Sequence, residues 1–325
     1  MTTCSHLRTT LGSLAALAAL ATASAADYPT RSVTIIVPYA AGGGTDTAAR
    51  LVAEQASKDA GQRFVIDNRG GGGTTIGTLQ IAKGGPSGYT LGIVDPAFAI
   101  NPSLYASLPY DTRKEFIPVS LLTTSPLVLV VPAEVPAKTL AEFVAYAKKN
   151  PGTVNFGSSG LGSASHLAAE QFRHAAKLEM THVPYRGGAP AMQDLLTNRV
   201  SMILLSTNSV ISHIQAGTLR ALAVTGDRRV KLLPDVPTMG EAGFPSVTTQ
   251  TFAALIAPAG TPTDIVAFLE RTFGKAANAP AIQPQMDELG LVPVGSTSAE
   301  LAAYFDKMMA DIGRVIEDAH IERLK

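Results

Sequence analysis

The sequence predicts two α/β domains with a cleft between them and a mostly helical tail. Three observations predict it. Apolar, β-branched runs alternate with helix-like segments in two separate blocks. Glycine-rich turns join strands to helices in both blocks. The chain has 325 residues and is 46% hydrophobic, which suffices for more than one core.

The elements follow in order. Residues 1–25 read as an export signal. Arg8 is the only charge ahead of the apolar run Leu11 to Ala21, and Ala23-Ser24-Ala25 offers the small residues a signal peptidase reads. The run is shorter than the roughly 20 residues a spanning helix needs. An N-terminal core helix or short anchor is the competing reading. Cys4 is the only cysteine, so no intramolecular disulfide or cysteine metal cluster is available. It precedes the apolar run and therefore cannot carry a lipid after cleavage near Ala25.

Val33 to Val37 reads as a buried strand, Thr45 to Ala60 as a helix closed by Gly61, and Phe64 to Asp67 as a second strand. A short helix around Thr74 to Lys83 and a strand from Tyr89 to Val94 complete a parallel pattern. The second block starts near Pro126. Its expected strands are Leu127 to Val131, Val154 to Phe156, Met180 to Val183, Val200 to Leu205 and Leu219 to Val224. Its helices are expected from Thr139 (a capping box with Glu142) to Asn150, from Ser163 to Ala176, and from Pro190 to Asn198. Leu233 to Pro245 looks irregular, and Phe252 to Ile256 carries the chain back to the first block. Helices from Pro262 and Thr297 form the tail.

Charge and spacing exclude several functions. There are 26 Lys+Arg and 26 Asp+Glu, so no bulk positive field favours nucleic acid. Only 16% of residues are charged, which argues against disorder. The glycine runs contain neither a Gly-x-Gly-x-x-Gly pattern nor a P-loop. His166, His174 and His182 lack metal-binding spacing, so no metal or cofactor is expected. A secreted serine esterase would use Ser158 or Ser159 with His166. Gly157-Ser158-Ser159-Gly160 is not a nucleophile elbow, however, and the histidine follows too closely. His166 is expected neutral at the start of its helix, where a positive charge would oppose the dipole.

The glycine-rich turns carry the functional signal. Tyr39-Ala40-Ala41-Gly42-Gly43-Gly44-Thr45-Asp46, Gly157 to Ser163, and Pro184-Tyr185-Arg186-Gly187-Gly188-Ala189 each precede a helix. Free backbone N–H groups and the positive helix end suit an anion there. Three such turns on opposing blocks read as a two-sided clamp for a carboxylate. Each also has a plainer reading as a simple turn. Asp46 reads as the cap of the first helix, and Arg186 as an anion contact or a solvated side chain. Tyr39, Phe98 and Phe252 are core residues or aromatic cleft walls, with core favoured for Phe252. Asn208 offers an amide to a ligand or caps the following helix.

Several blocks in this order resemble the Bug family of bacterial extracytoplasmic receptors, the substrate-binding proteins of tripartite tricarboxylate transporters. They are Pro38 to Asp46, Asn68 to Gly73, Pro86 to Leu91, Asn101 to Tyr105, Phe156 to Gly160, His182 to Gly188, Leu219 to Thr225, and Leu233 to Thr238. The resemblance runs from about Tyr28 to the C-terminus. It implies a type II periplasmic-binding-protein fold: two α/β domains, two crossing segments and a ligand cleft. Residues 26–123 with 254–325 would form one domain and 124–253 the other. It also implies a periplasmic receptor for a small organic acid, which delivers its ligand to membrane permease subunits, and a monomer is the natural form for such a hinge-closing receptor. A sensor presenting cargo to a receptor kinase is the alternative.

Carried onto this chain, the ligand set is Tyr39, Ala41, Gly42, Gly43, Gly44, Thr45 and Asp46 on one side. On the other it is Ser158, Ser159, Ser163, Tyr185, Arg186, Gly187 and Asn208, with Phe98 as a wall. Family members often have a polar residue at Phe98 and Trp at Phe252. These departures suggest an apolar cleft suited to an aromatic or longer-chain acid. Gly71 and Thr75 also depart from the family pattern, with only local effects expected.

Overall fold

The computed structural model describes residues 28–318, 323 and 324, except 40, 161, 162, 186 and 187. The expected export signal, Arg186 and Gly187 lie outside the described residues. The first block holds β1 (Val33–Val37), α1 (Gly44–Ala60), β2 (Phe64–Asn68), α2 (Thr75–Ala82), β3 (Thr90–Val94), α3 (Pro96–Leu104) and β4 (Phe116–Ser125). The second holds β5 (Leu127–Pro132), α4 (Leu140–Lys149), β6 (Asn155–Ser158), α5 (Ala164–Ala176) and β7 (Thr181–Pro184). It continues with α6 (Gly188–Leu196), β8 (Met202–Ser206), α7 (Thr207–Gln215) and β9 (Leu219–Val224). The chain returns through β10 (Thr251–Pro258), α8 (Thr263–Ala277), α9 (Gln283–Glu288), β11 (Val292–Pro293) and α10 (Ser298–Asp318).

Two sheets result, ordered β11-β4-β10-β3-β1-β2 and β7-β6-β8-β5-β9. Each contains a parallel trio, β2-β1-β3 and β7-β6-β8, as the alternation predicts. Each also takes an antiparallel strand that the alternation does not reveal. β10 runs against both β3 and β4, and β5 against both β8 and β9. Connectivity explains this. β5 enters the second sheet directly from β4, and β10 enters the first sheet from the second block. These are the two crossings.

The strands are continuous apolar runs because both faces are covered. In β1, Ile35 packs with α1 and α8 residues, while Ile36 packs with Ile81, Phe98 and Phe305. The period of two also splits β10: Ala253 and Leu255 face one layer, Phe252 and Ile256 the other. In the second sheet, Leu127 and Leu129 pack with Phe143 and Phe172, while Val128 and Val130 face Leu195 and Val210.

The crossings lie side by side. The Thr225 hydroxyl accepts from the Leu127 amide at 2.8 Å, and the Thr225 amide donates to the Leu127 carbonyl at 2.8 Å. The Thr251 hydroxyl donates to the Ser125 carbonyl at 3.1 Å. Both strands therefore pass between the domains as one hydrogen-bonded unit, the geometry a hinge needs.

Strands β1, β2 and β3 are parallel, so their C-terminal ends share one edge. The turns after β1 and β2 are held together there by α2. A Cβ on Gly77 would sit 2.5 Å from the Arg69 carbonyl and 2.8 Å from Pro38 Cα. Both are backbone atoms and neither yields easily. Alanine gains about 1 kcal/mol of helix propensity over glycine, but overpacking of this kind costs about 1–3 kcal/mol. Gly77→Ala is therefore expected to lower stability by up to about 2 kcal/mol in urea denaturation. An unchanged midpoint would show that the two turns are not packed this closely.

Candidate ligand-binding cleft

The turn between β1 and α1 is the first wall. Gly42 has φ +86°, which only glycine adopts freely. Gly43 occupies the cap position of α1 without any side-chain cap, and Gly44 and Thr45 open the helix. The positive helix end therefore faces outward from the sheet edge.

Asp46 does not take the role expected of it. It is the third helical residue and not the cap, and it is only 2% exposed. Its carboxylate reaches back to accept from the Gly42 amide at 2.8 Å, Arg50 Nε at 3.0 Å and Asn68 Nδ2 at 2.9 Å. Burial alone would raise its pKa, but the hydrogen bonds from Arg50, Gly42 and Asn68 outweigh it and hold the group below the ordinary carboxylate value. Asp46 is thus an ionised anchor of the turn, not a ligand contact. The Gly42 amide is committed to it and is withdrawn from the ligand set as well.

The second wall is the turn between β6 and α5. Ser163 caps α5: its hydroxyl accepts from the His166 amide at 3.2 Å and donates to the Gly160 carbonyl at 2.7 Å. Ser158 is fully buried. Its Oγ lies 2.6 Å from His182 Nε2 and accepts from the Gly160 amide at 3.2 Å. Ser158 therefore shapes the turn from beneath and does not meet a ligand, which corrects its expected role. The partner of the serine is His182, not His166. Burial of Ser158 also removes it as a nucleophile.

Beneath this turn three rings stack. Phe156 and His182 lie 4.9 Å apart at 16°, and His182 and His166 lie 4.0 Å apart at 14°. Burial, then His182 and Arg173, push the His166 pKa down to about 3. Burial pushes His182 down to about 4. Both rings are neutral near neutral pH.

Two cavities lie between the domains. One, of about 200 Å³, is lined by Gly44, Thr45, Asp95, Thr123, Ser125 and Thr251 from the first sheet side. Ser206 and Asn208 close it from the second. The other, of about 680 Å³, lies against Tyr39, Gly70, Gly71, Gly73, Asn101 and Tyr105, with Ser159 and Ser163 opposite. Among the described residues neither cavity is lined by Lys or Arg. A third groove, of about 360 Å³, lies elsewhere, between α5 and α10. Its cations are already paired, Arg173 with Glu170 and Lys307 and Arg314 with Asp311, and it is remote from the strand ends.

The structure thus brings Tyr39, Gly44, Thr45, Ser159, Ser163 and Asn208 to the cleft. Ala41 and Gly43 are exposed in the turn but line neither cavity. Tyr185 lies below the serine turn, and its hydroxyl donates to Asp194 at 2.7 Å instead of to the cleft. Burial, then Asp194, push its pKa up to about 12. Asn208 is not the cap of α7, a position held by Ser206; it is the second helical residue and exposed.

Phe98 is corrected outright. It is 3% exposed, with its ring 5.2 Å from Phe116 and 5.2 Å from Phe305. It sits on the face of α3 that packs on α10, so it belongs to the core. Residues missed in the sequence include Asp95, Ser125, Ser206 and the second glycine run. The position of Asp95 right after β3 was the available signal, because it shares the edge of the other two turns.

Comparison with known proteins agrees with this architecture. The profile of the tripartite tricarboxylate transporter family receptor, TctC, matches residues 48–321. The chain belongs to this receptor family. BugT from Bordetella pertussis is 36% identical to the receptor over 295 residues, covering 90% of each chain. A solved structure from R. palustris, Rpa4515 with adipate, is 35% identical with a TM-score of 0.80, covering 92% of the receptor and 100% of that chain. MatC from Rhodopseudomonas palustris, with bound malate, is 31% identical with a TM-score of 0.74, covering 89% and 100%. The receptor has the periplasmic-binding-protein fold of these neighbours. It is a solute-binding protein and not an enzyme.

Proposed function

We propose that the protein captures a small carboxylate between its two domains and delivers it to the membrane permease subunits of a tripartite transporter. The observation that carries this reading is the cavity where Gly44 and Thr45, at the positive end of α1, face Ser206 and Asn208 of the other domain. An acid held there by backbone amides, hydroxyls and water needs no cation. The acids named with two relatives, adipate and malate, support the same ligand class.

The working domains are residues 26–123 with 254–325, and 124–253, with boundaries inside the crossing strands. The receptor acts in the periplasm as a monomer after cleavage near Ala25. Among the described residues no helix is long and apolar enough to cross a membrane. The ligand touches both domains, so it binds the closed arrangement better and shifts the population toward it.

The test is a thermal-shift screen of the chain from Ala26 against small acids. A ligand at a hundredfold excess over its dissociation constant contributes about 2.7 kcal/mol of stability. A sharp rise with a mono- or dicarboxylate, and a smaller radius of gyration with that acid in X-ray scattering, are the expected results. No shift with any acid, and no acid released on denaturation, would overturn the reading.

A further inference from the structure

We propose that Asp95 is a specificity-determining residue of the cleft, selecting an acid that carries a hydrogen-bond donor, an ammonium or hydroxyl group, at the end remote from its carboxylate. This rests on the carboxylate-receptor reading and narrows it.

The argument begins with placement. Asp95 follows β3 directly and caps α3, its Oδ1 accepting from the Ala97 amide at 3.0 Å. It lines the same cavity as Gly44 and Thr45. Among the described residues it is the only acidic side chain lining either cleft cavity, and no cation accompanies it. The cavity therefore has a positive end, the start of α1, and a negative wall. A ligand with two carboxylates satisfies only the first.

The bonding capacity of Asp95 points the same way. A carboxylate offers about four acceptor sites. The Ala97 amide and the Tyr39 hydroxyl use two. The others remain for a ligand donor. The bonds it accepts favour the ionised form, as does the start of α3. Burial opposes them and leaves the pKa at about 6, so the group is charged in neutral solution. The ionisable group facing it is Tyr39; Tyr110 lies beyond, against Tyr39. The Tyr39 pKa lies well above its ordinary value, so the tyrosine stays a donor. A second carboxylate brought to this wall meets a like charge in a confined space, whereas a donor completes the set.

The test uses acids matched in length and different only at the far end: adipate, hexanoate, 6-hydroxyhexanoate and 6-aminohexanoate, with the four-carbon set beside them. Affinities are measured by calorimetry near pH 8, above the raised pKa of Asp95, for the native protein, Asp95→Asn and Asp95→Ser. Asparagine and serine both cap helices, so α3 is retained; thermal denaturation verifies it.

In the native protein a donor-ended acid should bind at least about tenfold more tightly than the diacid of equal length. In Asp95→Asn that preference should fall below about threefold, with the diacid gaining. Diacids binding the native protein as well as donor-ended acids would overturn the assignment, as would an unchanged ranking in Asp95→Asn. In either case the carboxylate-receptor reading stands. Binding of none of the acids would overturn both.

Discussion

Thr45→Asp is expected to lower carboxylate affinity by at least about a hundredfold while leaving the folded receptor as stable as before. The two effects separate because they act on different partners of one field. Thr45 is the second residue of α1 and lines the cavity that Ser206 and Asn208 close. An acid in the first turn complements the helix dipole, which typically contributes about 0.3–1 kcal/mol. Asp46 already occupies that turn, but its charge is buried and matched by Arg50. A carboxylate at position 45 would instead enter the cavity itself. At a separation of about 5 Å and an effective dielectric near 20, it repels a bound carboxylate by about 3 kcal/mol. That is more than a hundredfold in dissociation constant. Thr45→Asn adds similar bulk without charge and should lose less than about tenfold. Calorimetry with the acid found in the screen, together with urea denaturation, reads both quantities. Equal losses in the two variants would mean that size, not charge, governs this wall.

Much of the fold was legible because the strands are buried on both faces. Val33 to Val37 is apolar but for Thr34 and Leu127 to Val131 is apolar throughout, and such runs have few alternative states. Two neighbouring elements escaped. Helix α3 begins at Asp95-Pro96 and contains Pro102, so its pattern reads as a turn. Strand β4 contains Pro118 and ends in the hydroxyl run Thr123-Thr124-Ser125, which hides it among loop-like residues. Both form part of the site region, where local rules are most often broken.

The site was legible in outline only. Glycine runs mark where backbone can approach a ligand, and this located both walls. Which amides stay open depends on side chains far along the chain. Gly42 loses its amide to Asp46, and Asn68 braces the same carboxylate from β2. Ser158 is buried by His182, a strand away. Of the two expected aromatic walls, Phe98 fails for a similar reason. Phe98 turns to α10, and Phe252 lines the smaller cavity while its ring lies 5.5 Å from Tyr304 in the core. The cleft walls combine hydroxyls, amides and one carboxylate with Phe252, Leu289 and Leu291.

The largest stability effect should come from the stacked histidines. Lowering the pH from about 7 to about 4.5 is expected to remove several kcal/mol of stability. In the unfolded chain both rings take up a proton near their ordinary pKa of about 6.5. In the folded chain His182 does so only near 4 and His166 near 3. Between these limits the unfolded state binds more protons, so stability falls as pH falls. The slope approaches about 1.4 kcal/mol per pH unit for each ring. His182 is only half-buried, and solvent discounts its share. Above about pH 6.5 the contribution is complete and the profile flat. Asp46 acts in the same direction but only in more acidic solution, because its pKa is already depressed. Asp95, its pKa raised to about 6 by burial, titrates inside this window with the opposite sign and offsets part of one ring's share, so the net slope is smaller than the two rings alone would give. His182→Gln should flatten the profile between about pH 6.5 and 4.5 by roughly the share of one ring. Urea denaturation at steps across that range, on both proteins, measures the effect. A native profile that stays flat down to about pH 5 would show that the rings accept protons without opening the stack.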